Sequence, residues 1–227
     1  MNSQQESQPC NPSLLLKRLK AETARRTQEN RLKVYTPYTK QVEFHALGAS
    51  KRERLLMASN RFGKTECGGA ETAMHLTGLY PEWWVGKRFD HPIKAWAAGV
   101  TSESTRDVVQ DKLLGPPSRS EALGTGYVPK ALIADVSPAR GIADAIDTVS
   151  IEHVSGGYST LQFKSYERGR EKWQGSALHV LWLDEECPMD IYMEGLTRTN
   201  ETKGIVYLTF TPLKGMSNVV MRFLHGD

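Results

Sequence analysis

Residues 54–66 read Arg-Leu-Leu-Met-Ala-Ser-Asn-Arg-Phe-Gly-Lys-Thr-Glu. The short apolar run at 55–57 breaks into a loop that ends in Gly-Lys-Thr (63–65), and an alanine-rich stretch follows the loop. Strand, loop and helix in this order are typical of a phosphate-binding loop, although Ala58 occupies the position that is usually a glycine. The alternative is a glycine-containing turn with a surface lysine.

The residue types in this loop match the chemistry of a triphosphate. Backbone N–H groups of the loop and of the helix start point at phosphate oxygens. Gly63 lets the backbone approach the ligand closely, Lys64 supplies a positive charge for the β- and γ-phosphates, and Thr65 offers a hydroxyl to Mg²⁺. The segment therefore predicts a nucleotide-binding site.

A second element supports this interpretation. Residues 178–186 read Leu-His-Val-Leu-Trp-Leu-Asp-Glu-Glu, a buried-looking strand that ends in an acidic cluster. In open α/β sheets ligands bind at the carboxyl ends of the strands. We expect Asp184 to hold Mg²⁺ and Glu185 to orient and polarise the attacking water, with Glu186 as a spare carboxylate. The alternative is a strand that ends in a solvated acidic turn.

The composition describes a soluble globular chain. Of its 227 residues, 39% are hydrophobic and 24% are charged. No apolar run approaches the roughly 18 residues that span a bilayer, so we expect no membrane association. The three cysteines have no paired spacing, which favours a reducing compartment.

The positive charge is concentrated near the N-terminus. The net charge of the chain is only +3, yet residues 11–35 hold seven Lys/Arg and two Glu. Residues 1–34 are predicted to form a polar tail and a basic amphipathic helix over about 13–33. This helix could contact DNA, a neighbouring subunit or the surface of the core.

Strands alternate with helices over the rest of the chain, residues 35–227, which we expect to form one domain. The pattern predicts a three-layer α/β P-loop NTPase fold of the RecA-like (ASCE) type. Its central sheet is mostly parallel with helices on both faces, and an antiparallel hairpin is added. Predicted strands lie at 93–100, 148–153, 161–165, 178–184 and 204–210, besides the strand before the loop. Predicted helices lie at 39–47, 66–75, 103–114 and after Met189, and 115–147 is predicted to be irregular.

Three further segments carry candidate functional groups. Tyr38 and Gln41 precede the loop, where an amide can match the edge of adenine and a ring can stack on it. Thr209 and Thr211 end the last strand, where small hydroxyl residues can sense the γ-phosphate. The stretch 165–175 is rich in basic residues that could serve phosphates, DNA or an adjoining protomer, or form a solvated loop.

These elements, in this order, resemble the large terminase subunit of tailed bacteriophages, the ATP-driven motor that packages DNA. The resemblance covers about residues 35–215. The motifs that carry it are Pro-Tyr-Thr-Lys-Gln (37–41), Ser-Asn-Arg-Phe-Gly-Lys-Thr (59–65), the stretch 165–175, Leu-Trp-Leu-Asp-Glu (181–185) and Thr-Phe-Thr-Pro (209–212).

The resemblance implies ATP as substrate and Mg²⁺ as cofactor. It implies nucleotide contacts from Tyr38, Gln41, Ser59, Asn60, Arg61, Phe62, Gly63, Lys64, Thr65 and Glu66. The catalytic residues would be Glu185, Lys64 and Arg61; many family members hold this arginine one position earlier, where Asn60 stands here. The metal ligands would be Thr65 and Asp184, and Thr209 and Thr211 would couple hydrolysis to DNA movement.

The resemblance also implies partners: double-stranded DNA, the portal protein, the small terminase subunit and further copies in a ring on the procapsid. We expect a monomer in isolation, in the cytoplasm of the host. An arginine from a neighbouring subunit is expected to complete the site, and the candidates are Arg106, Arg140, Arg168 and Arg170. The nuclease domain typical of the family has no room before Asp227, so we expect an excised motor domain without nuclease activity.

Two alternatives stay open. A helicase-like or remodelling P-loop ATPase would share this core, although a helicase normally needs a second one. A nucleotide-dependent DNA-binding scaffold without turnover would not need Lys64, Asp184 and Glu185. A GTPase is disfavoured because the chain has no Asn-Lys-x-Asp motif.

Overall fold

The structure, a computed structural model, describes residues 13, 15–20, 22, 30–212, 215 and 217–225. Its strands are β1 (Glu53–Met57), β2 (Lys94–Gly99), β3 (Ile133–Pro138), β4 (Ile146–Glu152), β5 (Tyr158–Ser165), β6 (Val180–Asp184) and β7 (Ile205–Phe210). They form one sheet in the order β1-β7-β6-β2-β5-β4-β3. The first five in this order pair in parallel, and β4 and β3 extend the sheet antiparallel.

The α-helices lie on both faces of this sheet. They are α1 (Thr39–Leu47), α2 (Lys64–Thr77), α3 (102–114, with a π-helical turn at Thr105–Gln110), α4 (Met189–Arg198) and α5 (Asn218–His225). Alternate residues of β6 face opposite sides, since successive strand side chains alternate. Val180 and Trp182 belong to the apolar core with α2 and α3, whereas Leu181 and Leu183 pack in the core with α4 and α5. The predicted three-layer P-loop fold is therefore confirmed.

The strand order brings the predicted site together. Strand β7 lies between β1 and β6 and pairs in parallel with both. Met57 is in register with Phe210, and Asp184 is in register with Thr209. The loop after β1 and the acidic residues after β6 consequently leave the sheet at the same edge, on either side of the end of β7.

Helix α2 is buried along nearly its whole length, which explains its small side chains. Gly68 lies under the indole of Trp182: a Cβ built on Gly68 would lie 2.4 Å from the indole Nε1. A Cβ on Gly69 would lie 2.8 Å from Cγ of Lys112, a flexible side chain. Gly68 is thus required by the close packing of α2 on β6.

Most predicted elements match the structure, and the hairpin at 148–153 and 161–165 is confirmed as β4 and β5. Strand β3 was predicted to be irregular, and that prediction is wrong. This edge strand has mostly exposed or half-buried residues, among them Asp135, Ser137 and Pro138, which have low strand propensity. Its pairing with β4 forms it in spite of the local sequence.

The predicted helix at 13–33 is correct only in part. Residues 13, 15–20 and 22 are helical, whereas 14, 21 and 23–29 lie outside the described residues. Asn30 is not helical, and Arg31–Val34 form a 3₁₀ turn. The side chain of Asn30 accepts a hydrogen bond from the N–H of Lys33, so Asn30 starts a new turn instead of continuing a helix. Leu32 is buried in the core, and a domain boundary at residue 34 stays a prediction.

Among the described residues, no helix combines the length and the apolar character needed to cross a membrane. Cys67 and Cys187 are both free and buried, and Cys10 lies outside the described part of the chain.

Gly68→Ala is expected to destabilise the protein although alanine favours helices by about 1 kcal/mol over glycine. The added methyl group would overpack the rigid contact with Trp182, which costs about 1–3 kcal/mol. We expect the Tm to fall by several degrees. Gly69→Ala is the matched control, because Lys112 can move aside, and its Tm should stay unchanged or rise. Equal gains in Tm for both variants would contradict this account.

Candidate functional site

The loop at residues 58–63 joins the carboxyl end of β1 to the start of α2. Gly63 adopts a left-handed conformation (φ 70°) directly before the first helical residue, as glycine can at little cost. Among the described residues, the N–H groups of 59–63 donate to no backbone carbonyl. Free N–H groups at a helix N-terminus, together with the helix dipole, form a site that favours an anion.

Lys64 is the buried cation of this loop. Its side chain is buried, and its ammonium Nζ donates to the carbonyl oxygen of Ser59 at 2.8 Å. A neutral carbonyl is a weaker partner for an ammonium than an anionic oxygen. An anion that enters the loop can therefore take the place of the Ser59 carbonyl.

Asp184 lies opposite Lys64 at the end of β6 and is only 3% exposed. Its carboxylate accepts hydrogen bonds from the hydroxyl of Thr65 (3.1 Å) and the hydroxyl of Thr209 (2.7 Å). The indole N–H of Trp182 donates to the Thr209 hydroxyl in turn, at 2.7 Å. Three parts of the fold, α2, β6 and β7, thus meet at one carboxylate.

Burial raises the pKa of Asp184 to about 6. The negative charge of Glu185 raises it further, whereas the hydrogen bonds from Thr209 and Thr65 and the charge of Lys64 lower it. Burial is the largest of these effects, because a carboxylate loses its hydration when no cation neutralises it. The site therefore carries a negative charge that a bound cation would stabilise.

Glu185 follows in a left-handed conformation with φ 65°. Such a conformation is uncommon outside glycine and costs about 1 kcal/mol or more. Two contacts hold the backbone there: the N–H of Glu185 donates to the carbonyl of Thr209 at 2.9 Å, and the hydroxyl of Tyr166 donates to the carbonyls of Asp184 (2.8 Å) and Glu185 (3.2 Å). The backbone turn directs the chain out of the sheet directly after the metal-ligand candidate.

Gln41 links helix α1 to the loop. Its amide oxygen accepts the backbone N–H of Tyr38 at 2.8 Å, and its amide nitrogen donates to the carbonyl of Gly63 at 2.9 Å. The side chain is buried, whereas Tyr38 is 70% exposed. Gln41 therefore positions the loop. The second N–H of its amide stays available, so contact with adenine remains a prediction.

A cavity of about 450 Å³ lies beside these residues, lined by Tyr38, Gln41, Arg61, Gly63 and Glu66 among others. Glu66 accepts hydrogen bonds from Arg31 (2.9 Å), Lys112 (2.7 Å) and Tyr127 (2.5 Å). Burial by itself raises the pKa of Glu66, but these donors and the charges of Lys112 and Arg31 lower it below its usual value. Glu66 is thus held as a carboxylate in the wall of the cavity.

Thr211 and Asn60 join the end of β7 to the loop. The Thr211 hydroxyl donates to Oδ1 of Asn60 at 2.9 Å. Thr209 and Thr211 therefore contact the two halves of the site, the acidic residue and the loop. Arg61, by contrast, is exposed with a left-handed backbone (φ 67°), and Phe62 is 64% exposed.

The four arginines suggested for a neighbouring site differ in their partners. Arg106 and Arg170 form ion pairs within the chain. Arg168 donates from Nε to the hydroxyl of Ser102 at 3.2 Å. Arg140 is exposed on the turn between β3 and β4 and has no hydrogen-bonding partner among the described residues.

The structure brings the predicted residues of the two motifs to one edge of the sheet and adds residues to which the sequence assigned no role in the site. Tyr166 holds the acidic pair through its hydroxyl, and Arg31, Lys112 and Tyr127 hold Glu66. Each acts across a long stretch of chain, so nothing in the local sequence indicates these contacts.

Known proteins resemble this chain in sequence and in fold. The family model "Terminase large subunit, T4likevirus-type, N-terminal" matches residues 55–227. The chain is 40% identical over 207 residues to the terminase large subunit of Salmonella phage P22, covering 84% of this chain and 42% of that protein. A match to the terminase large subunit of Enterobacteria phage LP7 is 43% identical over 67 residues, covering 30% of this chain and 14% of that protein.

The structure is similar to that of the large terminase of the thermophilic bacteriophage D6E, with a TM-score of 0.52 and 16% identity. That likeness covers 78% of this chain and 39% of the other, and at this identity it shows the fold alone. The fold and the loop-and-strand site define a protein with the P-loop ATPase fold. More particularly, the chain belongs to the family of phage terminase large subunits. It spans about two fifths of the length of its P22 relative.

Asp184→Asn is expected to stabilise the ligand-free protein. The folded pKa of Asp184 (about 6) exceeds the ordinary 3.8, so its contribution to stability is complete below 3.8 and is lost as the pH rises through 6. The raised pKa of Asp184 therefore lowers the free energy of unfolding by up to about 3 kcal/mol at pH 8 and by about half of that at pH 5.

Urea unfolding of both proteins at pH 8 and pH 5 measures this effect. Other titrating groups cancel in the difference between wild type and variant. The advantage of the variant should shrink by about 1–2 kcal/mol at the lower pH. An advantage of the same size at both pH values would contradict the burial account.

Proposed function

We propose that this chain is the ATP-hydrolysing motor domain of a phage terminase, which moves double-stranded DNA into a procapsid. The observation that carries the proposal is the contact of Thr65 with Asp184 at 3.1 Å, beside the buried ammonium of Lys64. A hydroxyl, a carboxylate and an ammonium at the end of a parallel sheet are the groups that bind a metal-bound triphosphate. The P22 and LP7 relatives are both terminase large subunits, which supports the same function.

Lys64 and the loop amides would bind the triphosphate. The Lys64 ammonium now donates to a neutral carbonyl, which phosphate oxygens can replace as stronger, anionic acceptors. The free N–H groups of residues 59–63 add neutral donors that need no counter-charge. This gives the loop both the charge and the geometry for phosphate, and Arg61 is close enough in sequence to add a second cation.

The residues fit Mg²⁺, which prefers hard oxygen ligands and often takes only one or two from a protein. Thr65 and Asp184 would supply those ligands, and their oxygens already lie in contact. When bound, the ion would neutralise charge on the phosphates. The raised pKa of Asp184 is consistent with a buried carboxylate that forms no direct ion pair among the described residues.

Glu185 would hold and polarise the attacking water. Its backbone is held by Thr209 and Tyr166, so these contacts fix the point from which the side chain extends. Among the described residues, its side chain takes part in no ion pair or hydrogen bond, which leaves it free for water. General base catalysis of this kind contributes about 10²–10⁴-fold to a rate.

Thr209 and Thr211 would couple the nucleotide to movement. Thr209 donates to Asp184, and Thr211 donates to Asn60 in the loop, so both ends of the site are tied to β7. Loss of the γ-phosphate would change the partners of Asp184 and of the loop, and β7 would be the element in contact with both.

Tyr38, Gln41 and Glu66 would bind the nucleoside in the 450 Å³ cavity beside the loop.

The motor would work as a ring of copies on the portal protein of a procapsid, with the small terminase subunit as a further partner, in the host cytoplasm. Dilute chain is expected to be monomeric and slow, because an arginine from a neighbour would complete each site. Arg140 is the most available of the four candidates, since it is exposed and unpaired within the described part of the chain.

Glu185→Gln is expected to lower single-turnover ATP hydrolysis by about 10²–10⁴-fold, because the amide cannot accept the proton of water. ATP affinity should stay within a few-fold of wild type. Glu186→Gln is the matched control, since it removes the adjacent charge and should keep the rate within a few-fold.

The same assay separates the alternatives. Wild-type protein and Glu185→Gln that show the same rate would exclude Glu185 as the base. Absence of turnover in wild type, with ATP bound, would favour a nucleotide-dependent scaffold over a motor.

A further inference from the structure

A second cavity, of about 270 Å³, lies at the same edge of the sheet and takes no part in the site described above. We name it the basic cleft: it lies between the start of α3, the β3–β4 turn and the end of β5, and its cations are Arg106, Lys164, Arg168 and Lys172. Asp147 is the one carboxylate in its wall.

Within the described part of the chain, three of the four cations of the basic cleft form no ion pair, although the charges of Asp147 and Glu167 act on Lys164 and Arg168. Arg106 is ion-paired with Asp107. Lys164, Arg168 and Lys172 form no ion pair among the described residues. The ammonium of Lys164 donates to a backbone carbonyl at 3.0 Å and lies over the ring of Trp96.

The pKa of Lys164 is lowered, first by burial and then by the charges of Arg168 and Lys172, against the opposing charge of Asp147. Three cations that share one cleft repel one another. A bound anion would relieve that repulsion.

We propose that the basic cleft binds the phosphate backbone of double-stranded DNA, with Arg168 and Lys172 as its main contacts. The inference rests on the proposed motor function, which supplies the polyanion. Arg168 and Lys172 are exposed, as cations that contact an extended partner must be, and Lys164 forms the floor of the cleft. Contacts of this kind position nucleic acid without reading its sequence, as movement along DNA requires.

The position of the cleft connects it with the nucleotide site. Arg168 belongs to the turn Tyr166–Arg168, and the hydroxyl of Tyr166 donates to the carbonyls of Asp184 and Glu185. Glu167 of the same turn accepts the backbone N–H and the hydroxyl of Ser102 at 2.6 Å, and so fixes the turn to α3. DNA held at Arg168 would therefore contact a turn that is hydrogen-bonded to the acidic pair.

The test measures binding of a fluorescent 30-base-pair duplex by anisotropy, without nucleotide, over a range of NaCl concentrations. The logarithm of the DNA-binding constant falls linearly with the logarithm of the salt concentration. Removing two phosphate contacts makes this negative slope less steep by about 2. The double variant Arg168→Gln/Lys172→Gln should show that change and bind about tenfold more weakly at 50 mM salt. The control Arg119→Gln/Lys130→Gln removes the same charges from exposed positions outside the cleft, and should stay within about twofold of wild type.

A charge-preserving variant distinguishes a loss of DNA contacts from a loss of folding. Arg168→Lys/Lys172→Arg should retain both affinity and slope, and the Tm of every variant is measured alongside. Wild-type slope and affinity in the Gln double variant would overturn the proposal, as would an equal loss in the control or no DNA binding by wild type.

The anion could instead be the triphosphate held by a neighbouring copy. Hydrolysis measured against protein concentration distinguishes that source: if the Gln double variant loses only the concentration-dependent rate and keeps DNA binding, the DNA proposal fails. Because the DNA arm contains no nucleotide, its result is independent of whether Glu185 is the catalytic base.

Discussion

One carboxylate, Asp184, organises the end of the fold where the nucleotide is proposed to bind. It accepts hydrogen bonds from Thr65 on α2 and Thr209 on β7, and Trp182 orients Thr209. Trp182 in turn packs on Gly68, where no larger residue fits. The chain of contacts runs from a glycine in a buried helix to the group that is proposed to hold the metal. The geometry of the site therefore depends directly on the packing of the core.

Two features of the site lower the stability of the folded protein, and the rest of the fold must offset them. Asp184 is a buried acid that forms no ion pair among the described residues, and Glu185 is held in a left-handed conformation. Arg61, in the loop, shares that backbone strain. A bound metal ion would neutralise the charge of Asp184, and phosphate oxygens would accept hydrogen bonds from the N–H groups of the loop. The pattern is that of a site built for its ligand and destabilising without it.

The local sequence was sufficient to predict those parts of the site whose motif lies within one continuous segment. The loop with Lys64 and the strand that ends at Asp184 were predictable because each motif is continuous and parallel strands end at the same edge. Gln41 was interpreted as an adenine contact, which stays a prediction. Its bond from the Tyr38 N–H is a local contact at the start of α1, whereas its bond to the carbonyl of Gly63 depends on the tertiary fold. Strand β3 and the partners of Glu66 depend likewise on pairing between distant segments.

The most direct test of the account is a crystal structure of the chain with Mg²⁺ and a non-hydrolysable ATP analogue. We predict that the Lys64 ammonium leaves the Ser59 carbonyl for phosphate oxygens at ~3 Å. We also predict that the metal binds Thr65 and Asp184, with Glu185 facing the γ-phosphate. An analogue bound away from this loop, or Lys64 still on Ser59 with the analogue present, would contradict it.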